Sequence, residues 1–469
     1  MVHRPTTPQI RWSSGGDHYG EGESNLSPNR QAWLERASDP DGQRILEEDA
    51  KYFLHQSLST PCLAAAKKVE GIWIEDTAGR RYMDFHGNNV HHIGYAHPRL
   101  VEAVKKQIDD LPFTPRRFTD EPAVSLARKL AEIAPGDLGK VLFTTGGSDA
   151  VDLALKIARK VTGRHKTISF WDSFHGAGFG GMSVGGESLF RSSVGPMLAG
   201  AEHVAPFCCY RCPYGHDAPD GIPNIDACKL ACATTVRYVL EKERDVAAVI
   251  AEPVRAVPYV PPPGFWAEVR AACDDFGTLL IFDEIPSGLG KSGRMFVSEH
   301  YSVVPDIMVL GKALGGGMLP IATTVVRTDL DCAPDLAFGH YTHEKNPVTA
   351  RAALTTIKII EDEDLVENAA RVGARALERM HEMATHNSLI GHVTGIGLIL
   401  GIELVSDRET KAAATEAADR IMYRCLEQGL SFKTTMGNVL TLTPPLITTN
   451  EQMDRALDII EGAVMAEEK

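Results

Sequence analysis

A chain of 469 residues with a formal net charge of −14 is long enough for two or three lobes, but it lacks the clustered positive charge of a nucleic-acid-binding surface. Hydrophobic residues make up 43% and charged residues 23% of the sequence, which excludes a disordered or fibrous protein. Since no apolar run approaches the roughly 20 residues of a membrane helix, no membrane association is predicted.

The N-terminal 50 residues are polar and rich in glycine, serine and proline, and they predict an arm with at most one short helix over 29–50. This segment has no apolar signal sequence, which predicts a cytoplasmic location. Alternating apolar and polar residues over 71–85 then predict a hairpin that turns at Thr77-Ala78-Gly79.

Strands and helices alternate over most of the next 250 residues. The apolar runs KVLFTT, TISFW, VAAVIA, TLLIFD and DIMVLG predict buried strands, and helical patterns separate several of them. This order is typical of an α/β fold with a mainly parallel sheet between two layers of helices. Ligand groups in such sheets gather beyond the carboxyl ends of the strands. There the sequence has Gly146–Ser148, Glu252, Asp283 and Lys312.

Nine cysteines in a chain of this length, without a secretion signal, predict free thiols rather than disulfides. Two pairs of them, Cys209-x-x-Cys212 and Cys228-x-x-x-Cys232, have a spacing compatible with zinc. The alternative is a loop of small, buried and reduced cysteines that also includes Cys208. The second interpretation is favoured, and no metal site is predicted.

The turn Gly146-Gly147-Ser148 stands between a predicted strand and a predicted helix. Glycines let the backbone approach an anion, and a helix N-terminus supplies free N–H groups and the positive end of its dipole. Such a turn is equally often a packing feature. It therefore predicts an anion site only in combination with the other candidate residues of the sequence.

Two charged side chains follow buried strands further along. Asp283 ends the run LLIFD, where a buried carboxylate needs a partner, either a structural arginine or a protonated pyridine nitrogen. Lys312 follows IMVLG and precedes glycines 315–317, which let a ligand approach the chain closely, so this lysine is a candidate nucleophile. Phe174, next to His175, offers a face for a planar ring, although a phenylalanine alone is also typical of a core.

In their order along the chain these segments resemble the class III aminotransferases, fold-type I enzymes that use pyridoxal 5′-phosphate (PLP), from about Leu58 to the C-terminus. The resemblance implies a large PLP-binding domain over 99–345 and a smaller α+β domain built from both chain ends, 51–98 and 346–469. It implies that Lys312 carries PLP as a Schiff base and acts as the catalytic base, while Asp283 holds the pyridine nitrogen. The other implied cofactor contacts are Gly146, Gly147, Ser148, Phe174, His175, Glu252 and, from the neighbouring subunit of a homodimer, Thr342.

Departures from the family pattern narrow the implied function. Pro286 stands where many members have a glutamine that contacts the ring hydroxyl, and proline has no N–H to donate. Thr441 stands where carboxylate-using transaminases of the family have an arginine. Asn88-Asn89-Val90 and Arg117 resemble instead the branch that contains phospho-lyases and aminophosphonate ammonia-lyases. The resemblance therefore implies that Arg117 and Asn89 bind the substrate, a small anionic amine.

Three functions remain open at this point. The favoured one is a lyase that eliminates the β-substituent of a small amino-phosphonate or amino-phosphate. The second is an ω-aminotransferase that uses pyruvate or a similar keto acid. The third, a catalytically silent scaffold of the PLP-enzyme fold, is disfavoured because Lys312 and Asp283 are both present.

Overall fold

The computed structural model describes residues 27–37, 39–56 and 62–467. The helices in these ranges are α1 (Pro28–Ala37), α2 (Pro40–Tyr52), α3 (Pro98–Asp110), α4 (Glu121–Ile133), α5 (Gly147–Thr162), α6 (Phe179–Val184), α7 (Ser188–Arg191), α8 (Ile225–Cys228), α9 (Ala231–Glu243), α10 (Phe265–Phe276), α11 (Pro347–Asp362), α12 (Leu365–His386), α13 (Thr415–Glu427) and α14 (Asn450–Glu467). The strands are β1 (Ala66–Glu70), β2 (Trp73–Asp76), β3 (Arg81–Asp84), β4 (Leu138–Thr144), β5 (Lys166–Phe170), β6 (Ala201–Val204), β7 (Val246–Ala251), β8 (Leu279–Asp283), β9 (Ile307–Leu310), β10 (Ala322–Arg327), β11 (Ile390–Ile396), β12 (Ile399–Asp407), β13 (Ala412–Ala413), β14 (Leu430–Ser431), β15 (Lys433–Thr435) and β16 (Val439–Leu442).

A seven-stranded sheet in the order β4-β10-β9-β8-β7-β5-β6 forms the centre of the molecule. Strand β10 runs antiparallel to both of its neighbours, and the other pairs are parallel. Every residue of β7 and β8 is buried, which explains why these segments read as unbroken apolar runs. The predicted α/β fold with a mainly parallel sheet is confirmed.

Two smaller sheets accompany the central sheet, and the first of them joins distant parts of the chain. In the first, ordered β1-β2-β3-β14, the late strand β14 pairs in parallel with β3, where Leu430 lies opposite Met83. The second sheet, ordered β11-β12-β16-β15, comes from the C-terminal part alone, with β13 pairing beside β12. A smaller α+β part built from both chain ends is therefore confirmed, while the domain bounds 51–98, 99–345 and 346–469 stay predictions.

The N-terminal segment differs from its prediction. Residues 1–26 of the arm predicted over 1–50 lie outside the described residues, and the rest forms two helices rather than one. The second helix begins because Asp39 accepts a hydrogen bond from the N–H of Gly42 at 3.0 Å and Pro40 follows at the first helical position. Asp39 also accepts from the hydroxyl of Thr77 at 2.8 Å, which ties this helix to the β2–β3 hairpin. Within the described ranges, we find no helix that is both long and apolar enough to span a bilayer.

Candidate active site

A cavity of about 180 Å³ opens at the carboxyl ends of the parallel strands, where ligands bind in sheets of this kind. Loops that follow β5, β7, β8 and β9, together with the start of α5, form its wall. The residues that line it are Gly147, Ser148, Phe174, His175, Gly176, Glu187, Glu252, Arg255, Ala256, Val257, Asp283, Ile285, Pro286 and Lys312. The fold thus brings seven of the predicted site residues together, and Gly146 lies next to them as the residue before α5.

The N-terminus of α5 forms one end of the cavity. Gly146 is its N-cap, and no side chain caps the first N–H groups of the helix, which remain available to an anion. Ser148 Oγ accepts a hydrogen bond from the N–H of Ala177 at 3.0 Å, so its own hydroxyl proton can point elsewhere. Gly176 has a φ of +117°, and a Cβ there would lie 2.5 Å from Ser148 Oγ. This close approach requires glycine and keeps the helix end accessible.

Asp283 lies at the end of β8 and is buried. Its Oδ2 is 2.8 Å from Nδ1 of His175, and its Oδ1 accepts the N–H of Ile285 at 3.1 Å. Because the carboxylate is held by groups on both oxygens, it presents a fixed negative charge to the cavity. Such a charge suits a protonated ring nitrogen, and within the described ranges no arginine hydrogen-bonds to Asp283.

Glu252 follows β7 and is also buried. Its carboxyl accepts the N–H of Phe174 at 3.3 Å and the N–H of Ala256 at 2.8 Å. Burial raises the pKa of Glu252, although the nearby charge of Arg255 opposes that shift. The contact fixes the backbone of Phe174, whose ring lines the cavity and packs against Phe190 with 4.6 Å between centroids.

Lys312 is the first residue of a short 3₁₀ helix that follows β9, and its side chain is half-buried at the cavity wall. Its φ of +45° lies in the left-handed region, which is costly for a residue with a Cβ. Non-glycine residues in this conformation concentrate at functional sites, where the surrounding structure holds the strain. The backbone around Lys312 therefore supports its assignment as a reactive lysine.

The two departures from the family pattern have different surroundings. Pro286 lines the cavity, so the wall has no side-chain donor at that position. Thr441 lies within β16 and is fully buried, and its hydroxyl is 2.7 Å from that of Thr435. A threonine whose hydroxyl is already paired in the core cannot take over the anion-binding role of an arginine.

Three predicted residues lie outside the cavity wall. Arg117 is exposed in the loop between α3 and α4, and Thr342 is exposed in the loop before α11. Asn89 is buried with a φ of +59°, and its Oδ1 has no hydrogen-bond partner in the part of the chain that the structure describes. The roles of these three residues therefore stay predictions.

Two charged residues of the wall, Arg255 and Glu187, were missed by the sequence analysis. Arg255 is the only charged residue between Glu252 and Glu268, in the otherwise apolar run PVRAVPYVPPPGFWA. An isolated charge in such a run is a signal that it is held inside the fold. Glu187, by contrast, follows two glycines in a segment without any distinctive pattern.

The five cysteines of the predicted thiol-rich loop do come together, around a small cavity of about 20 Å³ that His216 also lines. All nine cysteines of the chain are free thiols. Burial is the main cause that raises the pKa of Cys209 to about 12 and of Cys208 and Cys232 to about 11. Within the part of the chain that the structure describes, no group of three or more histidine, cysteine or acidic side chains is placed to hold a metal ion. The zinc interpretation therefore gains no support.

Comparison with known proteins gives a consistent result. The family model described as aminotransferase class-III matches residues 55–464. The chain is 43% identical over 454 residues to the (R)-1-hydroxy-2-aminoethylphosphonate ammonia-lyase of Vibrio splendidus strain 12B01, covering 95% of this chain and 94% of that protein. It is 37% identical over 432 residues to the leucine/methionine racemase of Thermococcus litoralis, covering 90% and 95%. Among solved structures, a PLP-bound amine transaminase from an uncultivated Pseudomonas species superposes with a TM-score of 0.82 at 30% identity, covering 88% of this chain and 98% of that one.

The cavity has the groups that PLP requires. The uncapped N-terminus of α5 with Ser148 suits the phosphate, and Asp283 suits the protonated ring nitrogen. Phe174 and Lys312 line the same cavity, where they can meet the ring and its aldehyde carbon. Each group stands on a different strand end, so only the folded chain unites them. The residues present therefore fit this cofactor.

Proposed function

The chain belongs to the class III aminotransferase family of PLP-dependent enzymes, and we propose that it is an ammonia-lyase acting on a small hydroxylated aminophosphonate. The observation that carries the proposal is the 43% identity, over 95% of this chain, to an ammonia-lyase for (R)-1-hydroxy-2-aminoethylphosphonate. Thr441 supports it, because the arginine that would hold the carboxylate of a keto acid is replaced by a buried threonine.

When bound, PLP withdraws electrons from the carbon that carries the substrate amine and so makes its proton acidic. Asp283, fixed by His175, keeps the ring nitrogen protonated and thereby maintains that withdrawal. Lys312 stands at the cavity wall and takes the proton from the amine-bearing carbon. The pair of electrons left behind can then expel a substituent from the neighbouring carbon.

In 1-hydroxy-2-aminoethylphosphonate the neighbouring carbon carries a hydroxyl group. That hydroxyl leaves as water with one added proton, and Lys312, protonated in the preceding step, is placed to supply it. Elimination leaves a carbon–carbon double bond next to the nitrogen, and the released enamine becomes an imine when a proton moves from the nitrogen to the carbon that bears the phosphonate. Hydrolysis of this imine consumes one water and releases ammonia. The water lost and the water gained cancel, so the net products are phosphonoacetaldehyde and ammonia.

The proposal includes a homodimer in the cytoplasm. Arg117 and Thr342 lie on exposed loops, and a second subunit is what would give both a place at an active site, Thr342 at the cofactor phosphate and Arg117 at the substrate. Nine free thiols are typical of a protein in a reducing compartment.

The test is direct. Purified holoenzyme is incubated with (R)-1-hydroxy-2-aminoethylphosphonate and no keto acid, and ammonia and aldehyde are measured. We expect both products in equal amounts. As a control, 2-aminoethylphosphonate has the same amine and phosphonate but no hydroxyl to expel, so it should yield neither. Absence of ammonia and aldehyde from the hydroxylated substrate would overturn the lyase proposal.

The second candidate function is an ω-aminotransferase that uses pyruvate or a similar keto acid. The observation that favours it is the fold shared with solved transaminases, such as the (S)-enantioselective ω-transaminase of Thermomicrobium roseum, which has a TM-score of 0.83 at 27% identity. Product formation that requires pyruvate and yields alanine would establish this alternative.

A further inference from the structure

Arg255 is a buried cation whose hydrogen-bonding groups are largely unused. It lies in the loop after β7 and is 3% exposed. Its Nε and Nη1 are buried and have no hydrogen-bond partner among the described residues. The nearest carboxylate is that of Glu187, whose Oε1 is 4.0 Å from Nη2, which is too long for a hydrogen bond. A guanidinium has five N–H donors, so most of them are unused in this protein.

A buried guanidinium without partners is costly, because its charge has lost the solvation of water. Two contacts nevertheless hold Arg255 in place. Its backbone N–H donates to the carbonyl of Tyr259 at 3.2 Å, and its Cζ lies 5.2 Å from the centroid of the Tyr259 ring. These contacts fix the position of the side chain without using its donors. Such an arrangement is typical of a preorganised receptor for an anion.

The other groups of the cavity narrow the choice of the anion that Arg255 can bind. Arg255 lines the same cavity as Lys312, Asp283 and Ser148, and the N-terminus of α5 already serves the cofactor phosphate. Among the residues that line the cavity, Arg255 is the one arginine and Lys312 is the one lysine. Lys312 is committed to the reacting carbon, which leaves Arg255 for a second anion.

We propose that Arg255 binds the phosphonate group of the substrate and so positions its amine-bearing carbon beside Lys312. This inference rests on the proposed function for the identity of the anion, and it deepens that function by naming the residue in the cavity that recognises it. Glu187, whose Oε1 lies 4.0 Å from Nη2, attracts the guanidinium electrostatically without a hydrogen bond. Burial raises the pKa of the neighbouring Glu252, although the charge of Arg255 opposes that shift.

Binding of ethylphosphonate to the holoenzyme tests the proposal. This probe has no amine and no hydroxyl, so it cannot react, and bound PLP occupies the phosphate site at α5. We expect titration calorimetry to show that Arg255→Gln weakens binding about tenfold to hundredfold, the range for hydrogen bonds to a charged group. Arg128→Gln is the matched control, because Arg128 is exposed on α4 and should bind the probe like the wild type.

Two further measurements keep the proposal falsifiable. Arg255→Lys retains the charge but loses the planar fork, so we expect intermediate affinity, and this variant serves if the glutamine variant fails to retain PLP. Propionate compares a carboxylate of similar size and should bind the wild type more weakly than ethylphosphonate. Equal affinity of wild type and both Arg255 variants, no binding of ethylphosphonate to the wild type, or tighter binding of propionate would each overturn the assignment. Ammonia release by the wild type is scored separately, so failure of the lyase reaction is distinguishable from failure of Arg255 to bind the anion.

Discussion

The cavity wall and the exposed loops around Arg117 and Thr342 differ in how they are held. Asp283 and Glu252 stand on the ends of fully buried strands, and hydrogen bonds fix both carboxyl groups. Arg117 and Thr342 lie on loops outside that wall, with exposed side chains. We call the first region the inner half of the site and the second the outer half.

This difference between the rigid inner half and the exposed outer half corresponds to a difference in their proposed tasks. The inner half is proposed to hold and polarise the cofactor, a task that needs charges fixed in a low dielectric, and strand ends provide such positions. The outer half is proposed to contact the substrate through Arg117 and the cofactor phosphate through Thr342, and both residues lie on loops, which vary more readily than the scaffold. The inner half lies within one chain, whereas the outer half is proposed to act only in the dimer. Variants in the two halves should therefore differ in both the size and the kind of their effects.

The largest effect is expected for Lys312→Ala. This variant loses both the amine that anchors PLP and the base that moves the proton, so kcat should fall by about a factor of 10³ to 10⁴. The visible absorbance of the anchored cofactor should also disappear. Single-turnover kinetics and an absorbance spectrum of the purified variant check both results. Retention of that absorbance would contradict the assignment of Lys312.

Asp283→Asn should have the next largest effect. The amide removes the negative charge that keeps the ring nitrogen protonated and leaves His175 without its carboxylate partner, so kcat should fall about 100-fold to 1000-fold. PLP content, measured after release in alkali, should stay near that of the wild type because Lys312 remains. Asp274→Asn, at an exposed carboxylate of α10, is the control. Unchanged kcat in Asp283→Asn would show that the inner half does not polarise the cofactor.

For the outer half we expect smaller effects that concentrate in KM. Arg117→Gln removes one positive charge that is proposed to contact the substrate. This variant should raise KM about tenfold with little change in kcat. Arg116→Gln is the matched control, because the Nε of Arg116 is already paired with Glu344 at 3.3 Å. Steady-state kinetics of both variants with the hydroxylated aminophosphonate decide the matter. A KM for Arg117→Gln equal to that of Arg116→Gln would remove Arg117 from the site.

The last expected effect concerns the stability of the fold. It involves Glu284, the residue that follows Asp283 of the inner half. Burial raises the pKa of Glu284 to about 7, although the N–H groups of Val297 and Ser298 oppose that shift. Between pH 4.5 and pH 7 the folded chain therefore keeps a proton that the unfolded chain has lost. The free energy of unfolding should decrease as pH rises through this window, by about 3 kcal/mol at most from this residue.

Glu284→Gln cannot titrate and should lack that contribution. Thermal melting of wild type and variant at pH 5 and pH 7.5 measures it, and Glu48→Gln, at an exposed carboxylate of α2, provides the control. If the melting temperature decreases by the same amount from pH 5 to pH 7.5 in the wild type and in Glu284→Gln, Glu284 is ionised across the whole window.

Much of the inner half could be predicted from the sequence. Buried strands of a parallel sheet are short apolar runs, and the polar residue that ends each run marks the edge where ligands bind. Asp283 and Lys312 were identified in this way, and both line the cavity. The start of α2 at Asp39 was missed, because its cap depends on a side chain that also bonds to Thr77 in the hairpin.

The sequence by itself determined the alternation of strands and helices, the positions of Lys312 and Asp283 after their strands, and the family to which the chain belongs. Tertiary structure alone decided which other charges share their cavity. Arg255 and Glu187 are separated by 68 positions, yet Nη2 of Arg255 lies 4.0 Å from Oε1 of Glu187 in the cavity wall. Their meeting depends on how loops after β5 and β7 pack above neighbouring strands. Local sequence patterns report which face of a strand is buried, but the approach of two distant loops follows from the closure of the whole sheet.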